Sequence, residues 1–322
     1  MFKWLFKPTL NELLESYLNA HKLAINTIML TNQAWKQMVV LVGNVRVDRF
    51  TYNLAEQVQS CWQKQKSNTT ARIYRKSVSP VFSWSQQKGY IKRNPFNGLR
   101  VPRESKKQVR VYEPEQFKNL LRICQGDMRW LGILLVAKTT GMRKSAIQNL
   151  TRSDISFENE VISVQAKSET DHTWFWQAKD RDERKLPLVP FVANILTELI
   201  YALPTSQPYI FLSAARYYHL LEMRRFEMMT EFMRLYPISN FDRKFRTLRK
   251  RAGVERTFHE LRSSCLTDLA GVLNIAELQG IAGHSDAQTT MRYIGMGNDV
   301  VNKARLRVNK SLTELLTPSQ AR

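Results

Sequence analysis

Between residues 89 and 110 the chain loses its hydrophobic periodicity. Gly89, Pro95 and Gly98 interrupt a helical pattern. The run that follows, Arg100-Val-Pro-Arg-Glu-Ser-Lys-Lys-Gln-Val-Arg110, is poor in apolar side chains and rich in charge. Such a stretch has little to bury, so the 322 residues must pack as two separate bodies joined by it. The reading is an N-terminal domain over residues 1–102, a basic interdomain linker over 103–112 and a C-terminal domain over 113–322. The linker is either a solvated surface loop or a basic strap over a phosphate backbone.

The two parts differ in pattern. Residues 9–100 are mostly helical: Leu10, Leu13, Leu14, Tyr17 and Leu18 recur at helical spacing, as do Leu54, Val58, Cys61 and Trp62. In Thr69–Trp84, Arg72, Arg75 and Lys76 interleave with Ile73, Tyr74, Val78 and Val81. In the second part Pro114-Glu-Gln-Phe opens a helix and Met128–Thr139 makes another. From Val161 the pattern turns to strands: Val161-Ile-Ser-Val-Gln, Thr173-Trp-Phe-Trp and Arg184-Lys-Leu-Pro-Leu-Val. Helices resume near Phe191. The fold class expected is mainly α, with a small antiparallel β-sheet in the C-terminal domain.

Charge narrows the partner. Lys and Arg number 49 against 28 Asp and Glu, a net +21. Residues 1–112 hold 19 basic against 5 acidic side chains, so one third of the chain carries +14 of that excess. An excess of this size repels itself and is tolerated chiefly beside a polyanion, nucleic acid first and an anionic membrane surface second. The three cysteines, Cys61, Cys124 and Cys265, are too far apart for a disulfide framework or a zinc site and suit a reducing cytosol. The longest apolar run, about Leu131–Ala137, falls well short of a membrane span, and the basic and apolar start, Met1–Lys7, is too short for a signal peptide.

Four local features carry chemistry. Arg143 follows a helix-ending Gly in Thr140-Gly-Met-Arg143. In Thr257-Phe-His259-Glu-Leu-Arg262, Thr257 and Glu260 read as a capping box, which puts His259 and Arg262 on one face of a helix's first turn, where anions bind. In Gly283-His284-Ser-Asp-Ala-Gln-Thr-Thr-Met-Arg-Tyr293, Gly283 ends the segment Ile275–Ala282 and Ser285 with Gln288 reads as a second capping box. Lys179 lies in the turn Lys179-Asp-Arg-Asp-Glu between the second and third strands. Taken singly, they read as a surface Arg, solvated residues of a capped helix, a half-buried packing Tyr and a solvated loop Lys.

Their order resembles the tyrosine recombinase, or phage integrase, family. That family uses a set Arg, Lys, His-x-x-Arg, His/Trp and Tyr, matched here one by one by Arg143, Lys179, His259, Arg262, His284 and Tyr293. The intervals of 22 residues from Arg262 to His284 and 9 from His284 to Tyr293 are similar to the family's, as are the flanking Glu-Leu-Arg, Gly-His-Ser and Met-Arg-Tyr. The likeness follows domain order over residues 9–300 and is sharp at 139–152 and 257–295. Three departures stand out. Ala146 occupies the usually acidic position three after the first Arg; the connection containing Ser168-Glu-Thr-Asp-His172 is long, leaving Lys167 and Lys185 as rivals to Lys179; and about residues 213–238, with Arg216, Arg224 and Arg225, are extra length.

The resemblance implies a two-domain DNA clamp, a helical core-binding domain plus a mixed catalytic domain, that cuts and rejoins DNA at a defined site without metal or other cofactor. Arg143 and Arg262 would fork the non-bridging phosphate oxygens with His284 as a third donor, Tyr293 would attack to form a 3′-phosphotyrosine, His259 would take or return the tyrosine proton, and Lys179 would protonate the departing 5′ oxygen. It implies double-stranded DNA as partner, a homotetramer on two sites, accessory DNA-bending or directionality proteins, no membrane, and a cytoplasmic, nucleoid-associated setting. Val300–Leu316 has helical spacing and suits either an inter-subunit contact or a helix packed on its own domain. A DNA-binding protein of the same fold without activity and a type IB topoisomerase-like relaxing enzyme are the other readings; Ala146 speaks for the former.

Overall fold

The computed structural model describes residues 7–102, 108–178 and 183–294. The contacts divide the chain into two units, Met1–Lys107 and Gln108–Arg322. No helix among the described residues is long and apolar enough to cross a membrane.

The first unit is helical: α1 (Leu10–Ala20), α2 (Ile25–Val42), α3 (Tyr52–Gln65) and α4 (Asn68–Gln87). Hydroxyl side chains start three of them, since Thr9, Thr51 and Ser67 each accept a backbone N–H at the third helical position. α4 packs against α1, α2 and α3. The core is aromatic, with Phe82 stacked on Trp35 and Phe50, and Trp62 parallel to Phe96. The periodic Leu10, Leu13, Val58, Trp62, Val78 and Val81 are all buried there.

The second unit runs α5 (Pro114–Ile123), α6 (Met128–Thr140), α7 (Lys144–Gln148), β1 (Ile155–Ser156), β2 (Val161–Val164), β3 (Arg184–Pro187), α8 (Pro190–Tyr201), α9 (Ala214–Arg225), α10 (Glu231–Leu235), α11 (Phe241–Arg251), α12 (His259–Leu269), α13 (Ile275–Ala282) and α14 (Ala287–Met291). α6 is apolar nearly all round, as a helix through the middle of a domain must be, and it packs on both α8 and α12. Gly132 lets α8 approach: a Cβ there would lie 2.9 Å from Leu199 Cδ1.

The sheet is antiparallel in the order β1-β2-β3, with Ile162 opposite Leu186 and Val164 opposite Arg184. The strand expected at Thr173–Trp176 is not one. It makes a single bridge, Lys167 with Trp176, and the third strand is Ile155–Ser156 instead. The reason is the Trp174 backbone N–H, which goes to the Tyr209 hydroxyl at 3.1 Å rather than into a ladder. Burial still alternates in that segment, with Trp174 and Trp176 inside and Phe175 exposed, which is what made it look like a strand.

Candidate active site

Two glycine-ended helices and one helix start converge on a small volume. α6 ends at Gly141 in the left-handed conformation (φ 63°), so the chain reverses and delivers Arg143 at the start of α7. α13 ends at Gly283 (φ 59°), which places His284 directly beyond its carboxyl end. α12 begins at His259, so His259 and Arg262 share its first turn. The Glu260 carboxylate accepts the Thr257 N–H, half of the expected capping box, while Phe258 stands at the cap position. α14 is capped by Asp286, which accepts the Gln288 N–H at 2.9 Å; Ser285 does not cap it, because the helix begins one residue later than its pattern suggested.

Arg262 is the centre. It is 3% exposed. Its Nη1 donates to the Gly141 carbonyl at 2.6 Å, and its Nη2 donates to the Ala282 carbonyl and, at 3.0 Å, to His284 Nε2. Arg143 Nη2 donates to the Gly283 carbonyl at 2.7 Å. Arg262 thus rests on the carbonyl ends of α6 and α13, and Arg143 on that of α13, where the helix dipoles favour cations. The price is mutual repulsion. Burial, then Arg143 and Arg184, bring Arg262 down to about 10, still protonated at neutral pH.

The histidines adapt to this positive field. Burial first, then Arg262, Arg143 and Arg184, push His284 down to about 4, so it is neutral at pH 7. A neutral ring accepting at Nε2 carries its proton on Nδ1, which donates to Thr290 Oγ1 at 3.0 Å. Thr290 is fully buried and the Gln279 side chain donates to the His284 carbonyl at 2.8 Å, so ring and backbone are both held. His259 is also held below its ordinary value, by desolvation and then by Arg262 and Arg143, although part of its ring is exposed. Tyr293 is 8% exposed and lies among Leu266, Leu278 and Ala282, its ring nearly parallel to that of His284 with centroids 6.0 Å apart. Five of the six expected residues are therefore positioned by one junction of α6, α7, α12, α13 and α14.

Lys179 lies outside the described residues, as does the helical stretch expected at Val300–Leu316. Its two rivals are described. Lys167 is buried, with Nζ 2.6 Å from Asp154 Oδ1 and 3.0 Å from the Gln165 carbonyl. Lys185 is exposed on β3, beside Arg184 and so on the other face of the strand from it. It is Arg184 whose charge reaches Arg262 and His284.

Ala146 is 5% exposed within the apolar core around α6. The acids near the site are engaged elsewhere: Asp154 with Lys167 and Thr151, Glu260 with Thr257 and Arg110, and Asp286 at its cap. Sequence reasoning missed Arg184, which sits at the start of β3, and Thr290, the partner of His284. Thr290 could have been suspected from its place six residues after His284 in a capped helix, whereas Arg184 carried no signal beyond its charge.

Residues 110–297 match the model of the phage integrase family, more than half of the chain, and the chain belongs to that family. Among its relatives, a Haemophilus influenzae protein described as an integrase/recombinase is 24% identical over 255 residues, covering 75% of this chain and 60% of its own length. A tyrosine recombinase of Pseudothermotoga lettingae is 25% identical over 252 residues, covering 75% of this chain and 77% of that protein. The fold matches the Tn1549 transposon integrase solved with a circular intermediate DNA, with a TM-score of 0.71 at 20% identity over 94% of this chain and 99% of that one. It also matches a lambda integrase dimer bound to a core site, with a TM-score of 0.67 at 17% identity over 89% and 77% of the two chains.

Proposed function

We propose that the chain is a site-specific DNA recombinase acting through a covalent tyrosine intermediate. The observation that carries this is the pair Arg143 and Arg262, held on helix-end carbonyls beside His284 and Tyr293. Arg143, Arg184 and Arg262 are gathered near two histidines whose proton affinity is depressed by burial first and by Arg262 and Arg143 next, which is an environment suited to one anion. A phosphodiester supplies it, and the additional charge of its pentacoordinate transition state is stabilised more strongly still.

In this reading Arg143 and Arg262 bind the two non-bridging oxygens. The phosphate's charge offsets theirs, so the proton affinity of His284 rises and its ring becomes a third donor. Tyr293 Oη attacks phosphorus as His259 takes its proton. The P–O5′ bond breaks, Lys179 protonates the 5′ oxygen, and the DNA is left on Tyr293 through its 3′ phosphate. Attack by a 5′ hydroxyl reverses each step, so the bond energy is kept and no ATP is consumed. Ala146 alters the surroundings of Arg143 without removing any group that meets the phosphate.

Duplex DNA is the partner. Its phosphates account for the +14 carried by residues 1–112 and make binding strongly salt-dependent. Exchange between two duplexes requires four active sites, hence a tetramer on two DNA sites, with accessory DNA-bending or directionality proteins as further partners; a lambda integrase tetramer has been solved on a Holliday junction. The test is to denature the protein after incubation with fragmented DNA from its source and to sequence what remains covalently attached. One enriched site, absent with Tyr293→Phe, is expected. Supercoil relaxation at no defined site would replace recombination with a topoisomerase, and bound DNA with no adduct would leave a binding protein.

A further inference from the structure

His284 stands between an arginine and a hydroxyl. Its Nε2 accepts from Arg262 Nη2 at 3.0 Å, and its Nδ1 lies 3.0 Å from Thr290 Oγ1. Guanidinium nitrogens only donate, so in this state Nε2 carries no proton and Nδ1–H donates to the hydroxyl. Thr290 is fully buried, and this ring is the hydroxyl's one hydrogen-bond partner among the described residues. Thr290 also serves the nucleophile, because its carbonyl accepts the Tyr293 backbone N–H at 3.0 Å. The Gln279 amide holds the ring's own backbone through the His284 carbonyl. The approach of Nδ1 to Oγ1 is therefore fixed from both sides.

A phosphate oxygen only accepts. Donating to it requires a proton on Nε2, the nitrogen that has none here. The ring can gain that proton in two ways. It can take up a second one and become an imidazolium, against its burial and against the positive field of Arg262 on α12, Arg143 at the start of α7 and Arg184 on β3, with His259 beside them. Or it can stay neutral and carry its single proton on Nε2 instead of Nδ1. The second way needs a partner at Nδ1 that turns from acceptor into donor. A carboxylate or a carbonyl only accepts, and a backbone N–H only donates. A hydroxyl does both from one position.

We propose that Thr290 is a positioning residue for the phosphate: its hydroxyl accepts from His284 Nδ1 in the free chain and donates to it when a phosphodiester is bound, so that the neutral ring presents Nε2–H to a phosphate oxygen. The exchange balances. Nδ1 gives up one proton and Nε2 gains one, with water as the carrier and no net uptake. The Thr290 O–H rotates toward Nδ1, and the Arg262 N–H that faced the ring turns to the phosphate. This rests on the reading of Arg143 and Arg262 as the pair that binds the scissile phosphate. Thr290 itself touches no reacting atom.

Nitrogen NMR of the full chain with isotope-labelled histidine reads the two ring nitrogens directly, and the signals of interest are those that His284→Gln removes. At pH 7 the free chain should show Nδ1 protonated and Nε2 bare. Inorganic phosphate, raised until the signals stop moving, should reverse the pair. A duplex with the sequence recovered from the Tyr293 adduct should do the same when bound to Tyr293→Phe. The rate of adduct formation is the second measurement. Thr290→Val removes the hydroxyl at nearly constant shape and should slow it by about 10–100-fold, the effect of a loosely held catalytic group. That is less than His284→Ala, which removes the donor itself and should cost on the order of 100–1000-fold. Thr290→Ser keeps the hydroxyl and should stay near the wild-type rate.

Two protonated nitrogens in the phosphate-bound chain at pH 7 would make the ring an imidazolium and overturn the proposal, as would a proton that stays on Nδ1. Equal slowing in Thr290→Val and Thr290→Ser, or none in the former, overturns it too. If Thr290→Val fails to fold, the nitrogen signals of the wild-type chain and the rate of Thr290→Ser still decide. An adduct absent from the wild-type chain, with the pair still reversing in inorganic phosphate, defeats the functional reading and leaves the hydroxyl's exchange standing.

Discussion

The ion pair of Lys167 and Asp154 gives one of the three candidate lysines a structural partner, and Lys167→Met tests that role. Asp154 is 1% and Lys167 8% exposed, so removing the ammonium strands a carboxylate in the interior. Breaking one side of a buried pair costs about 3–5 kcal/mol. Asp154 keeps the Thr151 N–H at 2.8 Å, the Thr151 hydroxyl at 2.7 Å and the Gln165 amide at 3.1 Å, which favours the lower end of that range. At roughly 2–4 °C per kcal/mol for a domain of this size, a loss of about 3 kcal/mol lowers the melting midpoint by about 6–12 °C. Lys167→Met with Asp154→Asn leaves no buried charge and should recover much of the loss. Circular dichroism melts of the full chain measure both. A midpoint unmoved in Lys167→Met, together with abolished cleavage, would refute the reasoning and make Lys167 the reacting lysine.

Other consequences follow from the site. Arg262→Lys cannot reach the Gly141 and Ala282 carbonyls and a phosphate together, and should slow adduct formation on the order of 100–1000-fold with DNA binding largely kept, measured by trapping and by filter binding. Gly141→Ala puts a Cβ on a residue at φ 63°, 3.4 Å from Cys265 Sγ. It should cost about 1–2 kcal/mol in urea unfolding, and cleavage should suffer more because the same residue's carbonyl holds Arg262. His284 lies at about 4 in the native chain against an ordinary 6.5, so the unfolded state takes up the proton first. Native stability should therefore fall as pH drops from about 6.5 toward 4, and His284→Gln should flatten that part of the profile. Inorganic phosphate should raise the His284 titration midpoint seen by NMR.

Much of the site was legible because its residues sit at helix ends, and helix ends are written locally. Gly141 and Gly283 stop α6 and α13, and the His-x-x-Arg spacing puts two side chains on one turn wherever that turn lies. The illegible parts depend on contacts distant in sequence. The strand expected at Thr173–Trp176 was lost to a hydroxyl 35 residues away on Tyr209. The cap of α14 shifted by one residue, from Ser285 to Asp286, a difference between two side chains that cap equally well. Residues 213–238 looked like surplus because the carbonyls that Arg224 holds lie more than 50 residues earlier. Lys167 as a buried partner could be recognised only once Asp154 was seen beside it.

The central claim is that Tyr293 becomes bonded to DNA, and mass spectrometry of the trapped adduct tests it most directly. After the protein is denatured on its DNA and digested with nuclease and protease, the peptide containing Tyr293 should carry a nucleotide through a 3′ phosphate, with the freed strand ending in a 5′ hydroxyl. A nucleotide on any other residue, a 5′ phosphate linkage, or an adduct that survives in Tyr293→Phe would contradict the account.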